Sequence, residues 1–358
     1  MFQFHDTDRP ADFRTVEGLH HAMSHKLVRP DVIDDGAYDA LDAAARAAYD
    51  RARILYVSGG ITVGTHPYFE TVRELQLAFA ENIGRTSGHA GVLVSGGSTL
   101  GKTTILKSVM REVFNNYGCQ YPGFAADGVI PVVFIEVPGR ATARAVMVAF
   151  CEFFGMTISS GENELHLRPR VIEKLRTHKT QLVVVDELHN LLGRSQANHD
   201  AVDMLKSLHN QCASTFLYAG INIENLLTGE RGQQIGARFA AVPIRRHNLS
   251  NLDDARRWKT FIKLFEQQLP LRHHKAGTLV AEHKYLFERA GGSIGSLTRL
   301  LTGAAIVAIE DQTSPETITR QLLENQKVDL VAELIEKRRM VKGSAGQTLT
   351  DLLKAVVA

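Results

Sequence analysis

The chain has 358 residues, a formal net charge of only +2, 44% apolar residues and 22% charged ones. That length holds two domains, or one large domain with a smaller one appended, and the balance excludes wholesale disorder and a globally basic surface. Cys119, Cys151 and Cys212 are odd in number, widely spaced and outside any CxxC pattern, which excludes a disulfide scaffold or a zinc site and fits a reducing interior.

No run of about 18 apolar residues occurs, and the start MFQFHDTDRP carries acids and lacks an apolar stretch, so no membrane span or secretory signal is expected and a cytoplasmic protein is. Residues 1–36 are polar and broken by Pro10, Pro30 and Gly36, and read as an arm with one short helix. His21 and His25 would share a helix face beside His20, but without a third well-spaced ligand they read as surface histidines. An Ala-rich helix over Tyr38 to Ile54 and an amphipathic helix over His66 to Ile83 follow, separated by a loop at Gly59, Gly60 and Gly64.

Next comes GVLVSGGSTLGKTT. Val92, Leu93 and Val94 form a run too short for a helix and suited to a buried parallel strand, and Ile105, Leu106, Val109, Val113, Phe114 and Tyr117 have helical spacing. Between them, Gly96, Gly101, Lys102 and Thr103 fit G-x-x-x-x-G-K-[ST], the pattern of a phosphate loop. Glycines at 96, 97 and 101 let successive N–H groups turn inward, with Ser98, Thr99, Leu100 and Thr104 completing the cradle. Lys102 would reach the β- and γ-phosphates of ATP, and Thr103 would offer its hydroxyl to a Mg ion between them.

Ile130 to Val137 is a second buried strand, closed by Pro138 and Gly139, and helices follow over Ala141 to Phe154 and, interrupted near Pro169, Glu164 to His178. Leu182 to Val185 form a strand whose end delivers Asp186 and Glu187. The aspartate can hold the Mg ion through water, and the glutamate can activate the attacking water; His189 and Asn190 read as capping or supporting residues. A helix over Ala201 to Ala213, a strand at Thr215 to Ala219 and a short strand at Val242 to Ile244 complete a parallel sheet with helices on both faces.

Charge developing on a transferring phosphoryl group needs a cation, which a neighbouring subunit can supply; Arg231 and Arg238 are the candidates, and Arg238, just before the last strand, is favoured. Lys or Arg at 231, 238, 245, 246, 256, 257, 259, 263, 272 and 275 against acids at 253, 254 and 266 make a basic stretch. Such a stretch suits DNA phosphates, a subunit interface or a solvated helix face alike. Arg140 and Arg144 form a smaller basic pair after the second strand. Beyond Leu249 helices are expected over Leu252 to Gln267, Leu279 to Ala290, Ser296 to Glu310 and Pro315 to Asn325, then a charged tail. The expected division is an arm over 1–60, a nucleotide-binding α/β domain over 61–249, a helical domain over 250–325 and a tail over 326–358.

With GGSTLGKTT, VVFIEVPG, LVVVDELHNLL, ARF, FEQQLPLR and GSIGSLTRLLTGAAIVAIE in this order, the chain resembles the TniB/TnsC family of transposon AAA+ ATPases, relatives of MuB, from about Tyr49 to Leu323. The resemblance implies a P-loop AAA+ parallel sheet followed by a small all-helical lid. It also implies an ATP-dependent regulator that forms rings or filaments on duplex target DNA and recruits or activates a transposase, in some cases with a target-selection protein, in a prokaryotic cytoplasm and its nucleoid. By position it makes Lys102, Thr103, Asp186 and Glu187 the nucleotide site and Arg238 the arginine finger, and it places DNA contacts at Arg140 and at Thr157 to Ser160, with Arg144 nearby. Two departures stand out. Gly220, Ile221 and Asn222 replace the Gly-Thr pair of relatives, leaving Asn222 as sensor candidate, and the lid GxxR arginine falls on Thr298, with Arg299 one place later. A helicase loader and a nucleotide-gated scaffold without DNA are the alternatives.

Overall fold

Apolar runs too short for helices become the strands of one parallel sheet. β1 (Gly91–Gly96), β2 (Val132–Glu136), β3 (Leu182–Asp186), β4 (Thr215–Gly220) and β5 (Phe239–Ile244) lie in the order β2-β3-β4-β1-β5. The computed structural model describes residues 12–139, 141–191, 196–224 and 236–343. Helices α1 (Val16–Ser24), α2 (Asp35–Asp39), α3 (Ala43–Gly59), α4 (His66–Asn82), α5 (Lys102–Gln120), α6 (Ala143–Phe153), α7 (Glu164–Thr177) and α8 (Gln196–Gln211) precede β4 or alternate with the strands. After β5 come α9 (Leu252–Gln268), α10 (Thr278–Ala281), α11 (His283–Ala290), α12 (Ile294–Glu310), α13 (Arg320–Asn325) and α14 (Leu330–Gly343).

The chain divides into two units, Met1–Lys26 with His66–Ile244, and Leu27–Thr65 with Arg245–Ala358. The first holds the sheet. Val92, Val94, Val183, Val184 and Leu217 are fully buried, as expected of parallel strands covered by helices on both faces. Buried Asn82 fixes where β1 starts: its amide donates to Ala90 O (2.9 Å) and Thr215 Oγ1 (3.0 Å), and its carbonyl accepts from Ala90 N (2.6 Å). β5 starts at Phe239, earlier than the expected Val242, because its outward positions alternate and dilute the apolar run. Among the described residues it pairs only with β1, so Pro243, which has no N–H to give, is tolerated at this edge. Helix α7 runs unbroken through Pro169, where an interruption was expected.

The second unit is helical, with Trp258, Phe265, Leu297, Leu300, Leu301 and Ala304 in its core. Asn251 starts α9 by accepting from the N–H groups of Asp253 and Asp254. A buried charge network closes the unit: fully buried Arg53 on α3 and Arg272 both donate to Glu316. Burial would push the Glu316 carboxyl up, but the two guanidinium groups hold it below the ordinary carboxylate range. The helix expected from Pro315 begins only at Arg320, because this network holds Glu316 out of it: its N–H is spent on His273 Nδ1 (3.0 Å) and its side chain on the arginines. No single helix among the described residues is long and apolar enough to cross a membrane.

The residues expected as one arm over 1–60 are divided: α1 packs on α5 in the sheet unit, whereas α3 packs on α12 in the helical unit. The basic stretch is likewise divided between the units. Arg231 lies outside the described residues, Arg238 belongs to the sheet unit, Arg246 donates to Gly291 O, and Arg272 is drawn inward. Arg256, Arg257, Lys259 and Lys263 remain exposed along α9.

One buried histidine makes the sheet unit sensitive to acid. His209 on α8 lies edge-on to Phe216 and 5.2 Å from Phe239, and burial pushes its pKa down from 6.5 to about 4. The unfolded chain therefore takes up a proton that the folded chain refuses. Stability is full above about pH 6.5 and falls as pH drops toward 4, by up to about 3 kcal/mol. The urea midpoint should drop between pH 7 and pH 4.5 by clearly more in the wild type than in His209→Phe, and equal drops would contradict this account.

Candidate functional site

β1 ends in Gly96, and the chain turns through 97–101 before α5 begins at Lys102. Gly101 has φ +89°, a conformation that favours glycine and lets the first turn of α5 open directly onto the loop. The free N–H groups and positive end of this helix suit an anion. Lys102 is buried, and its ammonium donates to Gly96 O (3.0 Å) and Gly97 O (2.9 Å). Burial lowers its pKa, against the pull of Asp186 and Glu187. A buried cation held only by the loop's own carbonyls is poised to exchange them for phosphate oxygens. Thr99 also has positive φ, and Ser98, Leu100 and Thr104 lie on the same turn and the start of α5.

Facing this loop, β3 delivers Asp186. Its carboxyl is buried and its pKa raised by that burial, with the Glu187 N–H, Lys102 and Thr103 opposing. Thr103 Oγ1 lies 3.5 Å from Asp186 Oδ2, so a hydroxyl from α5 and a carboxylate from β3 converge. Two hard oxygens at such a place fit Mg, whose remaining ligands would be waters and phosphate oxygens. A cation there would also offset the cost of an ionised buried carboxylate.

Glu187 follows with φ +57°, rare for a residue with a side chain and a local strain that clusters at functional turns. The turn continues as the short 3-10 segment Leu188–Leu191. Asn190 Nδ2 donates to Val137 O (2.8 Å), fastening the turn to the exit of β2, and His189 Nε2 lies 3.3 Å from Glu187 Oε2. Asn222, just past β4, is exposed and has φ +51°. Thus Gly96, Gly97, Lys102, Thr103, Asp186, Glu187 and Asn222 all stand at the carboxyl ends of their strands, the position where parallel sheets bind ligands.

Arg238 stands elsewhere. It precedes β5, whose first residue pairs with Gly91, so it lies at the opposite end of β1 from Gly96. Its guanidinium donates to Asn210 Oδ1 on α8 (3.1 Å) and packs over Gly88. Asn210 carries no motif, and only the fold brings it there. Arg299 is exposed on α12 of the helical unit.

Of the expected DNA contacts, Arg140 lies outside the described residues. Arg144, at the start of α6, donates through Nε to Glu162 O (2.8 Å), and Glu162 in turn accepts from Ser159 N (2.7 Å). Arg170 donates to Glu162 and, through Nη2, to Thr157 O (2.9 Å). Arg144, at the start of α6, is thus joined through Glu162 to the segment from Thr157 to Ser160, of which Thr157, Ser159 and Ser160 are exposed. The histidines of α1 go separate ways: His20 packs edge-on to Phe114, while His21 stacks on His25.

A family model described as "Bacterial TniB protein" matches residues 62–249, more than half of the chain. Among solved structures, the Aeropyrum pernix ORC2 protein in ADPNP-ADP complexes is similar with a TM-score of 0.55 at 15% identity, over 83% of this chain and 74% of that one. The Aeropyrum pernix ORC1 protein in complex with DNA gives 0.54 at 17%, over 76% and 67%. Cdc6p from Pyrobaculum aerophilum gives 0.51 at 12%, over 81% and 69%. No curated protein matches in sequence. The sheet order, the flanking helices and these neighbours make the fold that of a P-loop AAA+ ATPase with a helical C-terminal region.

Proposed function

Because the chain belongs to the TniB family, we propose that it is an ATP-dependent regulator of DNA transposition, one that assembles on duplex target DNA and recruits or activates a transposase. The observation that carries this reading is the meeting of Lys102 and Thr103 with Asp186 and Glu187 at one end of the sheet, inside the stretch that matches the family.

In this reading the phosphate loop from Gly96 to Thr104 cradles ATP, Lys102 binds the β- and γ-phosphates, and Thr103 and Asp186 hold Mg. Mg supplies charge neutralisation on the phosphate oxygens. Glu187 takes the proton of the attacking water. Asn222 at the tip of β4 senses the γ-phosphate. Arg238 serves the site of the next subunit. The DNA contacts fall to Arg140, to Arg144 at the start of α6, and to Thr157 on the segment that Glu162 and Arg170 brace. Bound ATP holds neighbouring subunits together and hydrolysis releases them, and the reading is of a cytoplasmic, nucleoid-associated protein.

The experiment is retention on duplex DNA with ATP, with ADP and without nucleotide. Retention should be strong with ATP alone and should fall steeply with added salt, since phosphate contacts release counterions. Equal retention in all three states would remove the proposed switch.

A further inference from the structure

The turn that carries Glu187 is held to the next strand by one side chain. His189 Nδ1 lies 3.4 Å from the backbone N of Ile221 at the tip of β4, and its Nε2 lies 3.3 Å from Glu187 Oε2. The Ile221 N–H has only a proton to give, so Nδ1 must offer its lone pair; in the neutral ring the proton then sits on Nε2 and points at the carboxylate. The backbone enforces the same contact, because a Cβ on Gly220 would lie 3.0 Å from His189 N and 3.3 Å from Leu188 N. The turn is thus pressed against β4 where only glycine fits. Both residues bordering the bridge, Glu187 and Asn222, have left-handed backbones. The carboxylate remains within electrostatic reach of Lys102, which places it on the phosphate side.

We propose that His189 is the positioning residue of Glu187, fixing the orientation of its carboxylate through the proton on Nε2. The inference rests on the reading of Glu187 as the base and goes beyond it. A glutamate on a strained turn and partly open to solvent has several rotamers, and a single directed N–H selects one of them. The other ring nitrogen, tied to Ile221, sets the tautomer that puts the proton on Nε2.

Two amides separate this role from mere support. Gln carries its amide nitrogen where His carries Nε2, so His189→Gln keeps the bond to Glu187; Asn reaches only the Nδ1 position, so His189→Asn keeps the bond to Ile221 and loses the other. With the full chain, ATP, Mg and duplex DNA, single-turnover hydrolysis should fall about tenfold in His189→Ala and His189→Asn. It should stay near wild type in His189→Gln, with ATP affinity unchanged in all three. In a Glu187→Gln background, His189→Ala should cause no further loss. The proposal is overturned if His189→Asn is the active variant and His189→Gln the slow one, if ATP affinity falls in step with rate, or if His189→Ala still slows the Glu187→Gln protein. Wild-type hydrolysis by Glu187→Gln would remove the base and this proposal together, whereas an inactive Glu187→Gln beside a fully active His189→Asn removes this proposal alone.

Discussion

Replacing Glu187 by Gln should lower ATP hydrolysis by about a thousandfold while ATP binding stays at the wild-type level. The separation follows from where the groups sit. The cradle is built by the end of β1 and the start of α5, the proposed Mg ligands are Thr103 and Asp186, and the substitution touches neither. Gln has the size of Glu, suffers the same backbone strain at φ +57° and can still accept from His189 Nε2, so the turn keeps its shape. Only the ability to take a proton is lost. The variant should therefore remain on duplex DNA after ATP addition, because the step that releases neighbouring subunits is blocked. Steady-state hydrolysis near the wild-type rate would remove Glu187 from its role.

The second large effect is expected at Arg238. Along β1, from the pairing with Phe239 at Gly91 to Gly96, a parallel strand spans about 17 Å, more than an arginine side chain reaches. Arg238 cannot serve the phosphate loop at the far end of its own sheet, and if it stabilises a transition state, that site belongs to a neighbour. Arg238→Ala should slow hydrolysis about a thousandfold or more without weakening nucleotide binding to the monomer. Mixing separates the two arrangements. Lys102→Ala lacks a working cradle but keeps its arginine, and Arg238→Ala lacks the arginine but keeps the cradle. Together they should recover hydrolysis that neither has alone. A mixture as inactive as its components would place the arginine's action within one subunit or outside catalysis.

The parts of the site legible in the sequence are those encoded locally. The phosphate loop, the strand before it and the helix after it occupy consecutive residues from Gly91 to Gln120, so composition and spacing suffice. Asp186 and Glu187 were legible because four apolar residues place an acidic pair at a strand end. Contacts between distant segments were not. Nothing near Asn210 shows that it accepts from Arg238, since the two meet only when the end of α8 and the start of β5 come together. His189 read as a capping or supporting residue because its partner, Ile221, lies beyond a helix and a strand. Arg272 and Glu316 looked like a surface charge and a helix residue, and become buried partners only once α3 supplies Arg53. The single arm expected at the start fails for the same reason: where α1 and α3 pack is decided by apolar faces on α5 and α12, more than fifty residues away in each case.

The central claim is that a triphosphate between adjacent protomers binds them into an assembly along a double helix. It is tested most directly by sizing the full chain in solution with duplex DNA and a non-hydrolysable ATP analogue, beside the same mixture with ADP. The account predicts multi-subunit particles with the analogue and their loss with ADP. A chain that stays monomeric with both the analogue and duplex present would contradict it.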